Sequence, residues 1–307
     1  MSSIIKKTKR KKGSRIFLAV VLIPTFVWFL MFFIIPFISV IVYSFTDAHM
    51  AYSTFKFVGL QQYINAFKDP TFVISLKNTV IAAVVIMPTT VILSIALAAG
   101  LNELSDRLRE IFTFIYFLPS IISTVAISLV WSWLYHRNYG LFNAILGIFG
   151  IKPQPFLGSP DQALLALCVI QIWAIFGYYA VVLLAAMRGI DKTYYEVADI
   201  DGASKSAKFF RITLPLIKNS ILFVCIMSTI SSFMFFTPVK ILTEGRPGTS
   251  TMVMLYHILK KGIEESKIGY ASAMSIILML IIMSFSLVQW VLTREKKEKK
   301  LRRKHNE

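Results

Sequence analysis

The sequence contains no phosphate-cradling G-x-x-x-x-G-K-[ST] run, the motif whose backbone N–H groups and lysine hold nucleotide phosphates. The chain therefore shows no ATPase motif of its own, and any energy drawn from ATP has to enter through a partner. Cysteine is scarce: Cys168 and Cys225 are the only two, each inside an apolar run. Their spacing suits neither a metal site nor a disulfide framework. Four scattered histidines, His49, His136, His257 and His305, form no metal-like pair. Acidic residues are also few, 16 against 33 Lys and Arg, which leaves a formal net charge of +17.

A basic excess can mark nucleic-acid binding. Here much of it lies at the two ends, from Lys6 to Arg15 and from Arg294 to Lys304, against apolar segments. Juxtamembrane tails that set topology and meet anionic lipid account for both blocks. Membrane lipid is thus an expected partner and nucleic acid is not.

Apolar sequence is plentiful, 56% of the chain, and it comes in runs that reach the roughly 20 residues needed to cross a bilayer. Six spans are predicted, near 16–41, 73–101, 111–135, 164–187, 217–238 and 269–292. The first is too long for the core of a cleavable signal and reads as a retained helix. Prolines at 24, 36, 88 and 119 fall inside the first three spans and can kink them. Segments on the side of the N-terminus hold 23 of the Lys and Arg residues and those on the other side 10, which places both termini in the cytoplasm. The predicted fold is all-α and polytopic: a basic cytoplasmic tail over 1–15, a transmembrane domain over 16–293 and a charged cytoplasmic tail over 294–307.

No Asp, Glu, Lys, Arg or His lies in the middle of a predicted span. Ion-driven carriers commonly need such groups as relays, so a proton pump is disfavoured. Na⁺ sites built from carbonyls and hydroxyls remain open, and with them a stand-alone secondary carrier; a channel or a scaffold also remains open.

The cytoplasmic segment 188–216 is the longest inner loop and carries both charge signs. It reads as two short helices around a break. Gly202 supplies the turn, Ser204 can cap the second helix, and Pro215 suits the start of the next span. Spacing alone leaves two readings open, an amphipathic helix on lipid headgroups or a helix docked on a partner.

Glu196, Ala198, Asp201, Gly202, Ala203, Ile212, Thr213, Leu214 and Pro215 match the E-A-A-x-x-D-G-A…I-T-L-P pattern, with Val197 replacing the first alanine. The segment resembles the EAA loop of binding-protein-dependent ABC importer permeases. Further matches are Phe57-Val-Gly-Leu-Gln-Gln-Tyr63 with Asn78-Thr79, Gly140-Leu-Phe-Asn143, and Leu242-Thr-Glu-Gly-Arg-Pro247. Together they are similar to carbohydrate permeases such as the larger maltose-permease subunit and the glycerol-phosphate permease. The resemblance implies a type I ABC importer permease fold in the bacterial cytoplasmic membrane and a chain that is not itself an enzyme. Glu196, Ala198, Asp201, Gly202 and Ala203 would couple it to two ATP-binding subunits, which hold ATP and Mg. A second, homologous permease subunit would complete a heterodimer, and an extracytoplasmic solute-binding protein would deliver a neutral sugar or oligosaccharide. A non-sugar solute such as a glycerol phosphate is the alternative cargo.

Aligned on the maltose permease from the loop glutamate, the sugar-contacting positions of the family fall on Gln171, Ala174, Ile175, Tyr178, Ser228, Ser232 and Phe235. Gln171, Tyr178, Ser228, Ser232 and Phe235 are the expected substrate residues. Ile175 and Phe235 depart from the maltose pattern, which points away from maltose itself. By residue type alone, the same aromatics and serines also suit ordinary helix packing.

Overall fold

The computed structural model describes residues 12–51 and 55–305, with side chains placed for 20–51 and 55–293. The basic residues up to Lys11 and the side chains from Arg294 onward lie outside the described residues. The apolar runs become helices because a backbone in lipid has to satisfy its own N–H and C=O groups. No strand forms among the described residues; Thr46 and Phe57 make an isolated antiparallel bridge.

The first span consists of α1 (Lys12–Phe29), a π turn (Leu30–Ile34) and α2 (Ile35–Ser44). Pro36 has no N–H for the Phe32 carbonyl, and the wide turn just before it absorbs that mismatch. After α3 (Gln61–Lys68) comes α4 (Pro70–Glu103). Asp69 caps α4 by accepting from the Thr71 N–H at 2.8 Å, with Pro70 in the first turn, a favourable start on both counts. At 1.5 Å per residue α4 is about 51 Å long, more than the hydrocarbon core requires.

The third predicted span, 111–135, is not one straight helix. It is α5 (Asp106–Ile121) and α6 (Thr124–Leu134), bent by 99° at the break. Pro119 removes an N–H from the last turn of α5, and Ile122 and Ser123 then adopt ψ of 141° and 128°, outside the helical region. Gly177 lets the following long helix press against the same place: a Cβ there would overlap the Tyr116 carbonyl.

The rest comprises α7 (Leu141–Ile148), α8 (Pro160–Arg188), α9 (Thr193–Ile200), α10 (Lys205–Lys208), α11 (Leu214–Leu216), α12 (Lys218–Phe233), α13 (Thr237–Leu242), α14 (Met254–Leu259) and α15 (Ile268–His305). Five runs are long and apolar enough to cross a bilayer: Val20–Ser44, Pro70–Glu103, Pro160–Arg188, Lys218–Leu242 and Ile268–Thr293. Counted as one span, the bent α5–α6 pair makes a sixth. α15 continues as helix through the charged segment to His305, consistent with the helix propensity of its Glu, Lys and Arg residues.

α4 and α8 pack along each other at the centre, with α12 against α4, and α15 against α2 and α12. Toward one end, Trp131, Tyr135, Leu167, Val239 and Met252 share a core; toward the other, Val91, Leu101, Leu183, Met187 and Ile217 do. A third cluster joins Phe72, Phe233, Met254 and Met274. The outward faces are also apolar, as Ile92, Phe114, Leu129 and Leu280 show. Large apolar surface of this kind is what lipid or another membrane subunit covers. The first span is the extreme case, exposed all round from Val20 to Phe29.

Candidate functional site

The segment 193–216 folds as one compact unit at the end of the bundle where α4, α5 and α8 also meet. α9 stops at Gly202, whose φ of +70° lies in the left-handed region. The Gly202 N–H donates to the Asp199 carbonyl at 3.1 Å and the Ala203 N–H to the Ala198 carbonyl at 2.9 Å, the Schellman pattern of helix ends. Ser204 then caps α10 by accepting from the Ala207 N–H at 3.2 Å. The turn and the cap read from the sequence are both present.

Cross-ties make this unit rigid. The Tyr195 hydroxyl and Thr213 Oγ1 are 2.8 Å apart, and Lys208 pairs with Asp199. One tie reaches the membrane helices: Lys205 Nζ donates to Glu103 Oε2 at 2.7 Å. The Glu103 carboxylate, by this hydrogen bond and then by its charge, holds the Lys205 pKa above its ordinary value. An exposed pair of this kind adds little stability by itself. Between the unit and α4 is a cleft of about 550 Å³ lined by Gly100, Asn102, Tyr195 and Phe209 among others.

Of the expected coupling residues, Ala198 is buried and Ala203 half-buried, while Glu196, Asp201 and Gly202 are exposed. One exposed stripe of α9 is apolar: Tyr194, Val197 and, at 86% exposure, Ile200; Phe210, later in the same unit, is exposed as well. Residues 194, 197 and 200 recur at helical spacing and form a single stripe. Such a stripe needs a covering surface.

The expected substrate residues divide in two. Gln171 and Tyr178 are seven residues apart on α8, on one face of the helix, and both are accessible. Gln171 Nε2 lies 3.5 Å from Ser231 Oγ on α12. The Tyr178 ring stacks on Phe117 of α5 at 6.3 Å between centroids. Ser228, Ser232 and Phe235 are buried inside the chain. Ser232 donates back to the Ser228 carbonyl at 2.6 Å, and Ser228 Oγ has no partner. Phe235 belongs to the core around Trp131 and Val239. Thus the accessible polar side chains at this depth, Gln171, Tyr178 and Ser231, are all neutral.

At the opposite end, the outer motifs prove to be loop staples. Gly59 turns at φ +58°, and Tyr63 then donates to Ser44 Oγ at 2.8 Å, folding 57–63 back onto the end of α2. Asn143 of the G-x-x-N element donates to the Arg137 and Gln154 carbonyls at 3.1 and 2.9 Å and accepts from the Gln154 N–H at 2.8 Å. Asn78 and Thr79 bind the loop that follows α13. The sequence marks these positions without showing what they hold, because most of their partners are backbone atoms, up to 175 residues away.

Known proteins agree with this architecture. The model of the family described as binding-protein-dependent transport system inner membrane component matches residues 90–298. The probable ABC transporter permease protein YurN of Bacillus subtilis is 31% identical over 280 residues, covering 90% of this chain and 96% of that protein. The trehalose/maltose transport system permease protein MalF of Thermococcus litoralis is 33% identical over 235 residues, covering 76% and 78%. In three dimensions the chain is similar, at a TM-score of 0.81 and 25% identity, to a chain of a bacterial ABC transporter involved in import of the acidic polysaccharide alginate, over 92% of this chain and 96% of that one. With the match spanning more than half its length, this chain belongs to the binding-protein-dependent transport system inner membrane components, the permease subunits of ABC importers.

Proposed function

We propose that this chain is one half of the membrane path of a bacterial ABC importer for a neutral sugar or oligosaccharide. The apolar stripe Tyr194–Val197–Ile200 is the observation that carries the reading: it sits on a stapled loop, in a chain with no nucleotide-binding motif. Two ATP-binding subunits, holding ATP and Mg, bind Glu196, Ala198, Asp201, Gly202, Ala203 and their neighbours. Their closure on ATP moves this loop and, through Lys205–Glu103, α4. A docked partner explains the apolar stripe better than lipid does, because Glu196 and Asp201 flank it and a headgroup layer of anionic lipid would repel them. The loop then faces the cytoplasm, as the Lys and Arg distribution requires, and both termini share that side.

A homologous second permease covers the exposed face that includes Gln171, Tyr178 and Ser231, and the path runs between the two subunits. Aromatic faces with a few aimed hydroxyl and amide groups are what a sugar site needs. The names of several relatives support a carbohydrate cargo: a trehalose/maltose permease, an arabinooligosaccharide permease and a diacetylchitobiose permease. This chain has no cation among the accessible polar residues Gln171, Tyr178 and Ser231 of this face, which favours an uncharged cargo over an acidic one such as the alginate of the structural neighbour. Ser228, Ser232 and Phe235 are sheltered in this conformation and meet substrate only if α12 shifts as access alternates. The loop 239–251, on the extracytoplasmic side, receives the solute-binding protein.

The complex purified with its ATP-binding and solute-binding subunits tests the cargo. Its ATPase is expected to respond to a neutral oligosaccharide presented on the binding protein, and Tyr178→Ala to weaken that response about tenfold, as the loss of one stacked ring warrants. Stimulation by glycerol phosphates but by no neutral sugar would refute the carbohydrate reading.

A further inference from the structure

Non-helical backbone is stable among membrane helices only where protein satisfies its N–H and C=O groups. The segment joining α13 to α14 needs this treatment, since Thr251, Met252 and Val253 are buried while Glu244, Arg246 and Gly248 remain exposed. Its satisfaction comes from α4. Asn78 Nδ2 uses both N–H groups, one on the Thr249 carbonyl at 3.0 Å and one on the Met252 carbonyl at 2.9 Å. Thr79 Oγ1 donates to the Ser75 carbonyl at 2.8 Å, which leaves its lone pair to accept the Met254 N–H, also at 2.8 Å. These two residues lie about 12 Å along α4 from its first residue, so the root of the loop reaches well into the bundle. Within the loop, Thr251 Oγ1 lies 2.8 Å from both Thr243 Oγ1 and the Arg246 carbonyl. The loop is thus stapled internally and bolted to α4 at its root. At its other end α4 carries Glu103, held by Lys205 of the cytoplasmic unit.

We propose that Asn78 and Thr79 are positioning residues: they make the 243–253 loop move with α4, so one continuous helix joins the surface that meets the binding protein to the surface that meets the ATP-binding subunits. This rests on the assignment of those two surfaces made above. Coupling between them requires an element that both ends bias, and α4 has a specific attachment at each end.

The test is ATPase of the assembled complex in lipid nanodiscs, titrated with sugar-loaded binding protein. Thr79→Val keeps the shape and removes the acceptor; Thr79→Ser keeps the acceptor. Asn78→Asp keeps the shape and turns both donors into acceptors facing two carbonyls. Thr79→Val and Asn78→Asp are expected to raise the half-stimulating concentration of binding protein about tenfold, the scale of one or two lost hydrogen bonds, with basal ATPase unchanged. Thr79→Ser should behave as the native chain. A native complex that ignores the binding protein would sink the surface assignment and the proposal with it. A responsive native complex with an unaltered Thr79→Val curve would overturn only the proposal. Failure of both Thr79→Val and Asn78→Asp to assemble would also overturn it, by making the pair a folding element alone.

Discussion

At Gly177 the backbone of α8 runs against the backbone of α5. The atom a side chain would strike is the Tyr116 carbonyl, which cannot rotate away as a side chain could. Small residues are what allow such close crossings of membrane helices. Gly177→Leu is therefore expected to separate the two helices and destabilise the chain by about 1–3 kcal/mol, the usual cost of overpacking, seen as a lower unfolding midpoint in detergent. Gly100, around whose Cβ position nothing lies within 4 Å, is the control: Gly100→Ala should leave the midpoint unchanged or raise it. Equal loss at both sites would contradict the close-packing explanation. Gly202 differs from either. Its surroundings are open, and only its φ of +70° requires glycine.

The 193–216 unit turns that single backbone angle into an element-scale property. Without a left-handed residue at 202, α9 cannot end in its Schellman turn, and α10 loses its direction relative to the apolar stripe. Gly202→Asn, which tolerates this conformation, is expected to keep ATPase coupling. Gly202→Val, a β-branched residue at positive φ, should lose most of it while the membrane helices still assemble. Similar coupling in both variants would show that the turn is not what orients the stripe. Much of this element was legible in the sequence, because Gly202 and Ser204 act on backbone atoms within five residues. The bend of α5–α6 was only half legible: Pro119 announced a disturbance, but nothing local fixes an angle of 99°. The face proposed to meet substrate was the least legible. Gln171, Tyr178, Ser228, Ser232 and Phe235 all have plausible chemistry. Which of them is accessible depends on the packing of α8 against α12 and α13, and this buries Ser228, Ser232 and Phe235 while leaving Gln171 and Tyr178 accessible. Ser231 adjoins the buried Ser232, and its position beside Gln171 is set only by the packing of α12 on α8.

For the whole molecule, the missing parts are as informative as the present ones. The chain holds a 193–216 unit with an uncovered apolar stripe and a first span exposed all round over Val20–Phe29. Its accessible polar face carries no charge, and its sequence has no nucleotide-binding motif. In the proposed importer the ATP-binding subunits cover the stripe and supply the nucleotide site, while the second permease meets the polar face; a carrier that works alone leaves the stripe uncovered. The decisive measurement is uptake of the stimulating oligosaccharide by the complete complex in proteoliposomes. It is compared with uptake by the same permease pair reconstituted without ATP-binding subunits under an imposed Na⁺ or proton gradient. Uptake should occur only with the ATP-binding subunits present and ATP on their side of the membrane; gradient-driven uptake by the permease pair alone would contradict the dependent-permease reading.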